Sequence, residues 1–237
     1  METISSPVSV DMDSMRWGLE DFPINLKVSE NLDQRSQALI GASLDEWERA
    51  GNIDFFHPLE TTPILNFSKL SDYYERDRFV QGIYLAKNKV DELSAPSLAV
   101  TQIIFYTNRE SPANPYYHIV HTDIVINGYD YTFSTSPFDN TSYYLLTLIL
   151  HEVGHVLGLG HQGQGIMYPS LSTSDKQETL TSFDLNLINE KYQSPLAGNM
   201  VKPYSPVPEE IQRVLLFLPA APFLANKRLN IRPRFTH

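Results

Sequence analysis

The pattern of hydrophobic and polar residues along the first half of the chain predicts a β-sheet interrupted by one helix. Residues 24–28 alternate and are bounded by turn formers, which is typical of a strand, whereas residues 31–50 place apolar side chains near one helical stripe. β-branched and aromatic residues concentrate at 100–106 and at 118–127, and each run predicts a further strand. The first half of the chain is therefore expected to form most of a sheet.

The pattern of the second half predicts helices. Apolar residues at 145–150 fall on every side of a helix, which indicates burial against a sheet. A polar loop over 172–179 then precedes a helix over 181–192. Strands followed by a core helix, a loop and another helix indicate an α+β domain with helices packed on a twisted sheet.

Composition and charge narrow the possible functions. Of the 237 residues, 42% are hydrophobic and 19% are charged, which is typical of a soluble globular protein. No apolar run reaches the roughly 18–20 residues that span a bilayer, and the net charge of −10 argues against a nucleic-acid partner. The chain has no cysteine, which excludes disulfides and thiol catalysis. Its first residues lack the basic start and apolar core of a signal peptide, so we expect a mature segment behind an added Met.

One stretch concentrates residues that can bind a metal, because residues 151–161 follow the pattern H-E-x-x-H-x-x-G-x-x-H. His151 and His155 lie four apart on a helix and face the same side. Gly158 tolerates the left-handed conformation that ends helices, and a turn there brings His161 to the same ion. Three imidazole ligands with an open fourth position predict a catalytic Zn²⁺ site.

Two neighbours of these ligands complete the motif. Glu152 is predicted to act as a general base that takes a proton from a zinc-activated water, and not as a ligand. Met167 follows His161 at the distance of a Met-containing turn, which is a second, independent match. The alternatives are a helix whose histidines are merely packed, and a non-catalytic zinc-binding module, which is expected to have lost Glu152 or a ligand.

The zinc motif and the Met-containing turn resemble the metzincin clan of zinc proteases and, within it, the matrixins. Residues 157–161, Leu-Gly-Leu-Gly-His, and 167–169, Met-Tyr-Pro, are similar to the matrixin versions, and residues 180–192 resemble the last matrixin helix. The resemblance covers about 16–192, and residues 123–127 look like the edge strand of bacterial-type members. A peptidase of another metzincin branch is the alternative, which the Pro at position 169 and the last helix argue against.

The resemblance implies a fold and a reaction. The fold is a mostly parallel sheet with an antiparallel edge strand, in an upper subdomain up to residue 161 and a lower one over 162–192. The reaction is zinc-dependent hydrolysis of peptide bonds in extended protein substrates, with Met167 as a hydrophobic floor beneath the ligands. The substrate is expected to add as a strand to the sheet edge and to fill a pocket behind a wall that follows the Met turn. The residues expected to contact it are Asp123, Ile124, Val125, Tyr168, Pro169 and Leu171.

The chain departs from the matrixin pattern at two places. Animal matrixins carry a structural zinc upstream of the motif, but here only His118, His121 and Asp123 lie nearby and the calcium-loop acids are missing. We therefore expect the catalytic zinc to be the only metal and the two histidines to be held in strands by hydrogen bonds. The matrixin helix has two adjacent acids, whereas Phe183 stands at the first position and Asp184 is expected to keep a buried role under the Met turn. Because the family acts outside the cytoplasm, the protein is expected to be secreted. It is also expected to be a monomer.

The ends of the chain are predicted to lie outside the domain. Residues 1–16 are polar and predict a flexible arm before the domain at 17–192. Residues 193–237 hold seven prolines and six of the 18 Lys and Arg but two acids, so their net charge is near +4 and that of the remainder is near −14. Helical spacing predicts a short helix over 209–218. We expect this extension to dock on the acidic domain or, alternatively, to reach the active-site side and limit access.

Overall fold

Strands and helices alternate along the chain, and the computed structural model describes them within residues 12–76, 80–93, 95–106, 116–193 and 211–221. The strands are β1 Met15–Arg16, β2 Leu26–Ser29, β3 Glu60–Thr62, β4 Gln81–Ala86, β5 Ser97–Tyr106, β6 Tyr117–Asn127, β7 Phe133–Ser134, β8 Tyr143–Tyr144 and β9 Ile211–Pro219. The helices are α1 Gln34–Gly51, α2 Leu70–Arg76, α3 Leu145–Val156 and α4 Ser182–Tyr192.

The sheet has the order β3-β2-β4-β6-β5-β9, and β1 pairs with the beginning of β6. Strands β3, β2, β4 and β6 are mutually parallel, whereas β5 runs antiparallel to both of its neighbours. The separate pair β7 and β8 leads directly into α3. The predicted fold class, an α+β domain with a mostly parallel sheet and an antiparallel edge strand, is confirmed, and β9 adds one further strand beyond the antiparallel β5.

Helix α3 forms the centre of the hydrophobic core. All twelve of its residues are buried, and it packs against α1 and β5. Two tryptophans fix it by hydrogen bonds, since Trp47 Nε1 donates to the carbonyl of Leu150 at 2.9 Å and Trp17 Nε1 donates to that of Val156 at 2.7 Å. A helix that is apolar on every side thus lies in the interior, as its sequence predicts.

The N-terminal part of the described chain is packed against the domain. Met15 is fully buried in β1, so the flexible arm predicted for 1–16 is wrong for residues 12–16, while residues 1–11 lie outside the described ranges. The buried ammonium of Lys191 on α4 donates to the carbonyls of Met15 at 2.6 Å and of Gly158 at 2.5 Å. This one side chain therefore joins β1, α4 and the turn after α3.

Strand β9 occupies the region for which helical spacing predicts a helix over 209–218. Residues 211–219 instead form the outermost strand next to β5. Val214 and Leu216 pack against the main core, Leu218 lies within it, and Leu215 and Phe217 pack on the opposite face against a second apolar cluster. The helix prediction is wrong because a strand covered on both faces is apolar at nearly every position, and such a run fits both periodicities.

Strand β6 lies inside the sheet and not at its edge. Asp123, Ile124 and Val125 pair with β4 on one side and with β5 on the other, and all three residues are buried. An incoming strand cannot add there, so the edge position predicted for these residues is wrong. Local patterning identified the strand but not its place in the order of the sheet.

Among the described helices, none is long and apolar enough to cross a bilayer.

Candidate active site

Helix α3 and the turn after it bring three histidines together. His151 and His155 lie one turn apart on α3, as their spacing predicts. The helix ends at Val156, and Gly158 adopts a φ of +79°, where a Cβ would come within 2.7 Å of the carbonyl oxygen of Met15. A side chain at residue 158 meets both the positive φ and that carbonyl, which is why the position favours glycine. The turn directs the chain back so that His161 faces the two helical histidines.

The three imidazole rings surround one point. Ring centroids are 4.6 Å apart for His151 and His155, 5.2 Å for His151 and His161, and 4.8 Å for His155 and His161. One ring nitrogen from each residue lies within 4.8 Å of the others, and the Nε2 atoms of His155 and His161 are 3.3 Å apart. A single ion at about 2.0–2.1 Å from three nitrogens fits such a spacing.

Backbone carbonyls fix the orientation of the two helical rings. His151 Nδ1 lies 2.7 Å from the carbonyl of Ile166, and His155 Nδ1 lies 2.7 Å from that of Leu159. A carbonyl can only accept, so each Nδ1 carries the proton and each Nε2 keeps its lone pair toward the centre of the cluster. Within the described part of the chain, the buried Nε2 of His151 has no hydrogen-bond partner. A metal ion would satisfy this atom.

Burial keeps the three histidines neutral. It lowers the pKa of His151 to about 3, and it lowers the pKa of His155 well below its ordinary value. It also lowers the pKa of His161, which is more exposed than the other two. Neutral imidazole is the form that binds a metal. The donor set, its tautomers and its charge state therefore fit Zn²⁺.

Glu152 lies next to the first of these histidines and is fully buried. Thr101 of β5 donates its hydroxyl to Glu152 Oε2 at 2.5 Å. Glu152 Oε1 is buried and has no partner among the described residues. Burial raises the pKa of this carboxyl to about 8, against the opposing effect of the Thr101 hydrogen bond. One oxygen is thus held by the sheet and the other is available to a reacting group.

Sequence reasoning missed Thr101 as a contributor to the site. It lies 51 residues before Glu152, and no local motif joins the two positions. The contact depends on β5 lying beside α3 in the folded domain, so the only sequence signal is a pair of polar residues, Thr101 and Gln102, within a largely apolar strand.

The Met turn supports the histidine cluster from below. Met167 is fully buried, and its sulfur lies so close to Gly154 that a Cβ at residue 154 would overlap it. Gly165 turns with a φ of +73° directly against the Asp184 carboxylate. These close approaches favour glycine at both positions, and at residue 165 the positive φ favours it further. They also place the Met side chain against α3.

Asp184 has the buried role expected for it under the Met turn. Its Oδ1 accepts from the amide of Ile166 at 3.0 Å, and its Oδ2 accepts from the amide and hydroxyl of Thr181 at 2.8 Å and 2.6 Å. The carbonyl of Ile166 is the acceptor that orients His151. One carboxylate therefore caps α4 and, through a single residue, holds the first metal ligand in place.

A cavity of about 860 Å³ opens beside His151. The segment after the Met turn forms one wall, with Tyr168 and Leu171 among the lining residues, while Tyr143 and Thr147 come from the start of α3 and the strand before it. Pro169 is not among the lining residues. Leu218 and Ala221, from β9 and the residues after it, also line the cavity.

The two upstream histidines are held by carboxylates. His118 Nε2 lies 2.7 Å from Asp21 Oδ2, and His121 Nε2 lies 2.8 Å from Asp123 Oδ2. Gln102 also donates to Asp123 Oδ2 at 2.8 Å. This arrangement agrees with the interpretation of His118 and His121 as strand histidines in hydrogen-bonded positions.

The comparison with protein families agrees with the geometry. The matrixin family model matches residues 106–193, which include the three histidines, Glu152, the Met turn and α4. A search of curated proteins finds no match to the chain. Residues 106–193 are therefore similar to the matrixins, a family of metallopeptidases.

Proposed function

We propose that the protein is a zinc-dependent endopeptidase that hydrolyses peptide bonds in extended protein substrates. The observation that carries the proposal is the combination of three convergent, neutral imidazoles with a buried carboxyl one residue from the first of them. A structural zinc site has four protein ligands, whereas three ligands and a free acid next to them are typical of a catalytic one.

In the proposed reaction, His151, His155 and His161 hold the zinc. When bound, zinc supplies a Lewis acid that polarises the scissile carbonyl and lowers the pKa of water. Glu152 Oε1 accepts the proton of the attacking water and returns it to the leaving amine. Thr101 keeps Oε2 fixed meanwhile, so that the carboxyl does not turn away from the reacting atoms.

The substrate is proposed to bind along the cavity beside His151. Tyr168 and Leu171 form the wall that a substrate side chain meets, and Pro169 lies between them in the chain. Because β6 pairs with strands on both sides, we propose that an extended substrate pairs instead with β5, on the side where β9 lies in the structure. Strand β5 also carries the Thr101 contact to Glu152. A single zinc, a monomeric state and a location outside the cytoplasm stay predictions.

Digestion of a peptide library tests this proposal. We expect the zinc-loaded protein to cleave internal peptide bonds, a chelator to stop cleavage, and added Zn²⁺ to restore it. Mass spectrometry of the products gives the residue preference on both sides of the cleaved bond. Cleavage that persists after complete removal of zinc contradicts the proposal.

A further inference from the structure

Strand β9 pairs with the side of β5 that faces away from β6. An uncovered β5 would be an edge strand of ten residues whose free amides and carbonyls accept another extended chain. β9 takes these positions along the whole of β5, from Ser97 opposite Pro219 to Tyr106 opposite Ile211. The outer edge of β5, the strand that contacts Glu152, is therefore filled by the chain itself.

The register places β9 directly opposite the contact to the general base. Leu216 is the pairing partner of Thr101, and Phe217 and Leu218 pair with the two residues that precede Thr101 in β5. Thr101 is the residue whose hydroxyl holds Glu152. Residues 216–218 thus pair with the part of β5 that contacts the proposed general base.

The residues after β9 are held on both sides. The amide of Ala220 donates to the carbonyl of Pro96 at 2.7 Å, on the side of β5. On the other side, Leu171 donates to the carbonyl of Pro219 at 3.1 Å and accepts from Ala221 at 2.8 Å. Leu171 belongs to the wall of the cavity, so residues 219–221 span the slot between sheet edge and wall.

One residue of β9 and one of the segment after it also line the cavity. Leu218 is fully buried and lines the same cavity as His151, together with Ala221. A segment that combines strand pairing on one side, wall contacts on the other and a buried leucine beside a metal ligand has the contacts of a peptide seated in the site.

We propose that residues 211–221 occupy the substrate groove of the protein's own active site and must leave it before an extended substrate can bind. This inference rests on the proposed peptidase function and names its regulation. The occupant acts as an internal competitor, so the apparent affinity for substrate falls with the fraction of molecules in which the groove is open.

The test compares the full chain with a variant that unseats β9. Leu218→Asp places a carboxylate at a fully buried position, and Leu19→Asp is the matched control at a position that is 38% exposed and outside β9. All proteins are loaded with Zn²⁺, and circular dichroism and zinc stoichiometry verify that they fold. The measurements are amide hydrogen exchange along 97–106 and kcat/KM for a quenched-fluorescent library of extended peptides.

We expect Leu218→Asp to speed exchange along β5 while α3 stays protected, and to raise kcat/KM by about 10- to 100-fold. Leu19→Asp changes neither. A synthetic peptide with the sequence of 211–221, added to Leu218→Asp, inhibits competitively with respect to substrate and slows exchange along β5 again.

The two proposals fail in different ways. Faster exchange with the same kcat/KM as the full chain overturns the blocking role of 211–221 and leaves the peptidase function intact. Absence of cleavage by a zinc-loaded variant with an exposed β5 overturns the peptidase function. If Leu218→Asp does not fold, the double variant Leu216→Ala with Leu218→Ala takes its place. If a folded variant keeps the β5 amides protected from exchange and keeps the kcat/KM of the full chain, the claim that β9 can leave the groove is wrong.

Discussion

The metal-binding side and the peptide-facing side of the site are held together in different ways. On the metal side, residues of one continuous segment, 151–184, form buried hydrogen bonds, from Asp184 through Ile166 to His151. On the peptide side, β5 and β9 come from distant parts of the chain and meet through strand pairing. The first arrangement is a fixed cage, whereas the second is an edge contact that another extended chain can replace. The comparison indicates that the metal-binding residues are held rigidly, whereas the segment that controls access to them can be replaced by another extended chain.

The largest effect is expected from Glu152→Gln, which removes the proton acceptor and leaves the cage intact. We expect kcat to fall by about two to four decades, the usual contribution of a general base, with zinc content unchanged. The measurement is kcat by peptide cleavage together with metal analysis. Glu60→Gln on the exposed side chain of β3 is the matched control and keeps full activity. Near-normal turnover by Glu152→Gln refutes the assigned role.

Asp184→Ala tests how far the cage depends on its support. Three donors lose their buried acceptor, so we expect a loss of about 3 kcal/mol or more in the free energy of unfolding. Asp184 holds Ile166, whose carbonyl orients His151. Zinc affinity is therefore expected to fall by about 10- to 100-fold. Denaturant unfolding and zinc titration measure the two effects. Unchanged zinc affinity in a folded Asp184→Ala protein would show that Asp184 is not needed to orient His151 for metal binding.

Thr101 connects the two sides, and its replacement tests a positioning role. Thr101→Val removes a hydrogen bond to a carboxyl, for which about 1.5–3 kcal/mol corresponds to about a 10- to 100-fold loss in kcat. KM and zinc affinity are expected to stay near their normal values. Thr101→Ser keeps the hydroxyl and restores kcat. Equal losses in the Val and Ser variants indicate that packing, and not the hydrogen bond, is responsible.

The smallest effect is expected at Phe217, which packs β9 on the face away from the cavity. Phe217→Ala weakens the seat of β9 without touching the metal side, so we expect kcat/KM to rise by about three- to tenfold as the open fraction grows. Zinc affinity stays constant. A fall in zinc affinity in this variant shows that the two sides are coupled and breaks the comparison.

The sequence predicts the metal side well because its geometry is local. Spacing along one helix places His151 and His155, and a glycine at the helix end directs His161 toward them. The buried role of Asp184 follows from the matrixin resemblance, and the structure adds that Asp184 forms a capping box with Thr181 at the start of α4. Within this segment, short-range backbone geometry determines which side chains meet.

The peptide side is poorly predicted because the alternation of hydrophobic and polar residues within a segment does not determine the order of strands in the sheet. Alternation identifies β6 as a strand, but only the folded sheet shows that Asp123 lies between β4 and β5. In the same way, the spacing of Val214, Leu215 and Leu218 fits a helix as well as a strand covered on both faces. Long-range pairing decided both cases, and a single sequence does not encode it in a readable form.

The position of β9 in the chain has a consequence for synthesis. The ribosome completes α4, and with it the whole metal side, before residues 211–221 emerge. During that interval β5 is an apolar edge that invites pairing with other chains. Strand β9 pairs with this edge, so we expect the segment that occupies the groove also to reduce pairing of β5 with other chains during synthesis. Occupation of the groove and coverage of the β5 edge would thus both result from β9, the last strand to be synthesised among the described residues.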